Sequence, residues 1–64
     1  MEINNLLGMQ SPIVLGIVNE RLRLECDTLD QLISRYDLDA NQLFHKMDEL
    51  GYHYDALSNQ FKPD

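Results

Sequence analysis

The feature that most restricts the fold is a helix-start signal that occurs twice between Thr28 and Gln42. Thr28 is followed at three residues by Gln31, and Asp39 by Gln42. In each pair a short oxygen-bearing side chain can accept a bond from an orphan amide of the first turn, while the glutamine reaches back toward the cap. Two starts this close leave room for one short helix between them, so the chain must turn sharply at Asp37, Leu38 and Asp39. Leu29, Leu32, Ile33 and Tyr36 recur at the spacing of one helical face, which predicts a helix from Leu29 through Tyr36. The next helix is expected from Ala40 to Leu50, with Leu43, Met47 and Leu50 inward, Phe44 flanking them, and Gly51 as its left-handed stop. Leu38 is the expected plug between the two helices, a helix-turn-helix arrangement.

Beyond Gly51 the period changes to two. Tyr52 and Tyr54 fall on one face and His53 on the other, followed by a turn over Asp55 to Asn59 and a returning strand over Gln60 to Lys62. So short a hairpin is marginal alone, so Tyr52, Tyr54 and Phe61 are expected to pack at least partly on the helices. Upstream, Ser11 and Pro12 mark a first helix running to about Glu25, with the serine hydroxyl as cap and proline in the first turn. Met1 to Gln10 carries Ile3, Leu6, Leu7 and Met9, but Asn4, Asn5 and Gly8 weaken a helix there, which predicts an irregular arm. The expected fold is mainly α: a three-helix helix-turn-helix core with a short C-terminal β-hairpin, winged-helix-like. Residues 11–62 form the domain, after an arm over 1–10 and before a frayed tail at Pro63 and Asp64.

The first helix carries two apolar stripes. At 100° per residue, Leu15, Val18, Leu22 and Cys26 share one, and Ile13, Ile17 and Leu24 lie nearly opposite. One stripe can face the helix pair. The other needs cover, either from Ile3, Leu6 and Leu7 of the arm or from a second copy of the chain, because large exposed apolar patches are uncommon on monomers. Gly16, between the stripes, either permits close approach of another backbone or is simply tolerated.

At 64 residues the chain has room for one small domain with a thin stability margin. Its single cysteine cannot form an internal disulfide, and no CxxC pair is present to hold zinc. An unpaired thiol without a signal or membrane-spanning segment points to the reducing cytoplasm. Eleven acidic residues against five basic ones give a net charge of −6, which repels nucleic acid and anionic lipid and favours a cationic or neutral protein partner.

A nucleic-acid role would place Asn41, Gln42, His45, Asp48 and Glu49 of the third helix toward the ligand, with Lys46 at the edge. Asn and Gln can read adenine in the major groove. Phosphate contacts supply most of the affinity, however, and Arg21, Arg23, Arg35, Lys46 and Lys62 are scattered along the chain. Catalysis is not expected. Cys26 sits on an apolar stripe, no glycine-rich phosphate loop or Ser-His-Asp set is present, and His45, Asp48 and Glu49 read as solvated side chains of an amphipathic helix rather than a metal site; no cofactor is implied. The candidate interaction residues are Ile13, Ile17 and Leu24 on the first helix, Asn41, Gln42, His45 and Lys46 on the third, and Tyr52 and Tyr54 on the hairpin. The favoured function is a noncatalytic protein-interaction module, self-association through the first helix included. The alternative is an accessory protein contacting DNA through the third helix.

Several short runs add a resemblance: Val18-Asn19 with Leu22-Arg23, Leu29-Asp30-Gln31-Leu32, Tyr36-Asp37-Leu38-Asp39, and Gly51-Tyr52-His53-Tyr54-Asp55 with Asn59-Gln60-Phe61. Together they resemble the family of short bacterial proteins classed as domain of unknown function 4250. The likeness spans Pro12 to Lys62, and the terminal tyrosine and Asn-Gln-Phe runs are its most distinctive part. Family members often carry Asp before the proline, where this chain has Ser11, a change that keeps a capping side chain. The resemblance implies a bacterial origin and a compact small domain, and carries no activity or catalytic residue with it.

Overall fold

A computed structural model of the protein describes residues 6–64. A 3₁₀ turn at Leu6–Gly8 leads into α1 (Ser11–Leu24), α2 (Leu29–Arg35) and α3 (Ala40–Glu49), and the chain ends in an antiparallel hairpin of β1 (Tyr52–Asp55) and β2 (Gln60–Pro63). This is the expected three-helix core with a C-terminal hairpin. Ile3, proposed as arm cover, lies outside the described residues.

Local chemistry sets most of the boundaries. The Thr28 hydroxyl accepts from the Gln31 amide at 3.1 Å, and the Asp39 carboxylate from the Gln42 amide at 3.2 Å. The Gln31 side-chain carbonyl in turn accepts from the Asp27 amide at 2.8 Å, so the reciprocal cap forms one residue before Thr28. α2 ends when Asp37 takes a left-handed φ of 51°, letting the Asp37 and Leu38 amides bond back to the Ser34 and Ile33 carbonyls at 3.4 and 3.0 Å. That is the Schellman stop with Asp where Gly is commoner. Gly51, at φ 75°, ends α3 as expected.

The start of α1 differs from expectation. Ser11 is already helical, and the cap is Gln10, whose extended backbone gives its carbonyl to the Ile13 and Val14 amides at 3.0 and 3.1 Å without a side-chain bond. A serine inside the helix cannot cap it, because the capping side chain must fold back from a residue with non-helical backbone.

The core consists of Leu6, Val14, Val18, Leu22, Cys26, Leu29, Leu32, Leu43, Met47 and Phe61. Val14 is fully buried where Leu15 was expected, and Leu15 is half-buried beside it. Leu6 enters the core from the arm, and Leu7, Met9 and Leu38 pack around it. The tail is also tied down rather than frayed. Pro63 pairs with Tyr52, and the Asp64 amide donates to the Gly51 carbonyl at 2.8 Å.

Polar side chains fasten the hairpin to α1. Asn19 accepts from the Phe61 amide through Oδ1 at 2.8 Å and donates Nδ2 to the Phe61 carbonyl at 3.1 Å, so one side chain satisfies both main-chain groups. Gln60 donates to the Asn19 carbonyl at 2.9 Å. Asn59, with φ 55°, donates to the carbonyls of Leu22 and Cys26 at 3.0 and 2.9 Å, and its oxygen receives the Tyr54 hydroxyl at 2.6 Å. A residue from the hairpin turn therefore caps one free carbonyl in the last turn of α1, that of Leu22, and one just beyond the helix, that of Cys26.

Candidate interaction groove

The outward side of α3 divides in two. Its inward residues are Leu43 and Met47, and at 100° per residue Asn41, Phe44, His45 and Asp48 project toward the hairpin, whereas Gln42 and Lys46 project toward the arm. The first set meets Tyr52, His53 and Tyr54 of β1 to line an open groove of about 680 Å³. Phe44 is its main apolar wall. Its ring packs against buried Phe61 at 6.4 Å between centroids, and the residue remains 45% exposed. Tyr54 packs on the same Phe61 ring at 5.6 Å, and its hydroxyl is committed to Asn59, so the groove meets a tyrosine fixed in orientation.

No lysine or arginine lines this groove. Asp48 is exposed on one wall, His45 pairs with Glu49 at 3.0 Å, and His53 with Asp64 at 2.8 Å. The nearby cations are turned elsewhere: Lys46 donates to the Met9 carbonyl at 3.3 Å, and Lys62 pairs with Asp55 at 3.4 Å. The Asp55 carboxyl is held below its ordinary range first by the Ser58 hydroxyl, and further by Lys62. Elsewhere on the surface the Tyr36 hydroxyl, with help from Arg21 and Arg35, lowers the Glu25 carboxyl in the same way. Those shifts belong to surface contacts away from the groove.

The candidate residues thus fall into three places. Asn41, His45, Tyr52 and Tyr54 come together in the groove. Gln42 lines a separate cleft of about 240 Å³ with Leu6, Leu7 and the α2–α3 turn, and Lys46 is drawn to the arm. Ile13 and Leu24 stay 50% and 60% exposed on α1, while Ile17 is half-buried against the core. Helical geometry places Glu20 and Arg21 between Ile17 and Leu24, which breaks the apolar row. A Cβ built at Gly16 would meet nothing within 4 Å, so no backbone approaches it in the described chain.

Phe44 is the groove residue that sequence reasoning undervalued. Placed beside the inward stripe, it was expected to flank the core. The signal lay in its angular position, roughly 100° from Leu43, which puts it at the border of the buried face rather than within it. Cys26 is buried, and among the described residues no group of three or more His, Cys, Asp or Glu side chains converges to hold a metal. No helix among these residues is long and apolar enough to cross a membrane.

No curated protein and no solved structure matches the chain. A family model described as Domain of unknown function (DUF4250) matches residues 8–61. That span runs from the end of the 3₁₀ turn to Phe61 and takes in the whole lock of Asn19, Asn59, Gln60 and Phe61. These residues, which gave the sequence resemblance much of its character, form the joint between α1 and the hairpin, and by this match the chain belongs to the DUF4250 family.

Proposed function

We propose that this protein is a noncatalytic interaction module of the cytoplasm that binds a protein partner through the groove between α3 and β1. The observation that carries the reading is Phe44, a large aromatic residue left 45% exposed between Tyr52, Tyr54 and Asp48. Aromatic side chains with polar tips suit protein interfaces because they bring large contact area at low rotamer cost. Direct DNA contact through α3 has less support. The face that would approach phosphates carries Asp48 and Glu49 and lacks a free basic side chain, since Lys46 is bound to the arm. Self-association through Ile13, Ile17 and Leu24 is weakened by the interrupted row described above.

The test compares the protein with its Phe44→Ser variant in affinity capture from the source cells, after thermal melts show that both are folded. A partner retained by the parent and lost by the variant supports the reading, while equal recovery removes the groove from it. Amide shifts along α3 on adding duplex DNA at low salt would instead favour the nucleic-acid alternative.

A further inference from the structure

The hairpin has one closed edge and one open edge, and the open edge lies in the groove. In an antiparallel ladder, residue pairs alternate between those that exchange main-chain bonds and those that point them outward. The Asp64 amide bonds to the Gly51 carbonyl at 2.8 Å, and the register continues through Tyr52↔Pro63, His53↔Lys62, Tyr54↔Phe61 and Asp55↔Gln60. His53 and Asp55 therefore bond inward to β2, whereas Tyr52 and Tyr54 direct their N–H and C=O away from it. The opposite strand checks this assignment: the outward groups of Phe61 are the ones Asn19 binds, and Pro63, which lacks an N–H, occupies a non-bonded position. Among the described residues, β1 has no counterpart to Asn19, and no protein group bonds the Tyr54 amide or carbonyl.

The groove follows that edge. It is lined by three consecutive residues of β1, Tyr52 and Tyr54 belonging to one face of the strand and His53 to the other, and by no residue of β2. Only a groove running along the outer edge of β1 touches both faces of that strand and neither face of its neighbour.

Resting on the reading that the groove is a protein-binding site, we propose that its occupant is an extended segment of a partner protein, bearing Lys or Arg side chains, that adds to β1 as a third strand. Main-chain bonds to Tyr54 provide the register, as in other cases of strand addition to an exposed sheet edge. The partner's side chains alternate between two sides of the new strand, so those on one side meet Phe44 and Asp48 and those on the other meet His53, which is itself paired with Asp64. Among the described residues Asp48 pairs with no cation, and Lys62, on the His53 side, is held by Asp55, which selects a basic strand. A second copy of this chain fits less well. Pairing two β1 edges brings the same carboxylates together from chains that each carry a net charge of −6, and acidic flanks of this kind disfavour edge-to-edge self-pairing.

The test follows backbone amides of the full chain by NMR while adding three blocked peptides: alternating Lys and Val, alternating Glu and Val, and the Lys–Val peptide N-methylated at alternate residues. The expected result is that Lys–Val shifts Tyr52 to Asp55 and slows exchange of the Tyr54 N–H. Glu–Val should have no effect, and N-methylation should weaken binding about tenfold or more, because the strand loses its donors. Asp48→Asn should also weaken Lys–Val binding while leaving the free protein's spectrum otherwise unchanged. Equal binding of the N-methylated peptide, or shifts spread over all acidic surfaces without Tyr54 protection, overturns the strand-addition proposal. Groove shifts with Glu–Val overturn the basic partner. A Tyr54 amide already protected without peptide, in proportion to protein concentration, assigns the edge to a second copy. If no peptide binds, this proposal falls; the broader groove reading falls only if Phe44→Ser also leaves partner capture intact.

Discussion

The outer edges of β1 and β2 belong to one short hairpin, and the fold treats them in opposite ways. Along β2 the Asn19 amide stands where another strand would be, matching the Phe61 donor and acceptor at 2.8 and 3.1 Å. Along β1 the Tyr54 main chain faces a groove walled by Phe44 and Asp48. The difference shows what the polar residues of each side are for. Asn19, Asn59 and Gln60 satisfy backbone groups and are consumed by the fold, whereas Asn41, His45 and Asp48 line open space. Two asparagines of identical chemistry therefore have different roles because of where a strand ends.

The largest contrast is expected in hydrogen exchange. Tyr54 and Phe61 are directly paired across the hairpin, yet among the described residues only the Phe61 amide has a partner on its outward side. Protection in native proteins spans from almost none to the full unfolding free energy, which for a domain of this length is about 3–10 kcal/mol. Phe61 should therefore exchange about a thousandfold more slowly than Tyr54 once intrinsic rates are removed, since about 4 kcal/mol separates an open amide from one released by unfolding. Similar protection at both sites would mean that the open edge is covered and would break the comparison.

Next in size are paired deletions of the two phenylalanine rings. Phe61 is buried and supports both Phe44 and Tyr54, so Phe61→Ala should cost about 3–5 kcal/mol. Against the thin margin of so small a domain that is enough to leave much of the population unfolded. Phe44→Ala removes a ring already half in solvent and should cost about 1 kcal/mol. Urea unfolding followed by circular dichroism measures both. Comparable losses would show that Phe44 belongs to the core rather than to the groove.

The asparagines give a chemically matched version of the same comparison. Asn19→Ala leaves the Phe61 amide and carbonyl without their partner in a part-buried setting and should cost about 2–3 kcal/mol. Asn41→Ala on the exposed wall should stay within about 0.5 kcal/mol. Chemical denaturation of the two variants side by side decides the point, and an Asn41 cost approaching that of Asn19 would assign Asn41 a structural role.

The same contrast explains what could be read from the sequence. The caps at Thr28 and Asp39 and the stop at Gly51 are legible because each bond or backbone requirement lies within a few residues. The bonds joining Asn19 to Phe61 and Asn59 to Cys26 cross 42 and 33 residues, and no local pattern announces them. The Asn59-Gln60-Phe61 run stood out as part of a resemblance, without the physical role that the folded chain gives it. The α1 register slipped at Leu15 because Val14 and Leu15 are both apolar, and packing against the rest of the core decides between such neighbours. The groove was half visible: α3 polarity and the β1 tyrosines were each apparent, but their meeting depends on how the hairpin folds back. Ser11 misled because serine before proline is a good cap sequence, and the first helical carbonyl belongs instead to Gln10.

The smallest effect concerns the turn where the open strand passes into the closed one. Asp55 accepts the Ser58 hydroxyl at 2.7 Å, and this bond is the leading cause of its lowered pKa. A folded-state pKa below the unfolded one contributes stability that is present above the unfolded value and lost as pH falls through the folded value. Ser58→Ala should therefore move the Asp55 titration upward, toward the ordinary carboxylate range, and shrink that acid-side contribution. Carboxyl-carbon NMR titration reads the change at the residue itself, and an unmoved Asp55 curve would leave the hydroxyl without the role assigned to it. The closed edge should not respond. Its lock is built from amides that do not titrate, so Phe61 protection should be the same in the variant and the parent from about pH 5 to pH 8, after correction for intrinsic exchange. A fall in that protection would show that the turn charge, and not the Asn19 amide alone, holds the closed edge in place.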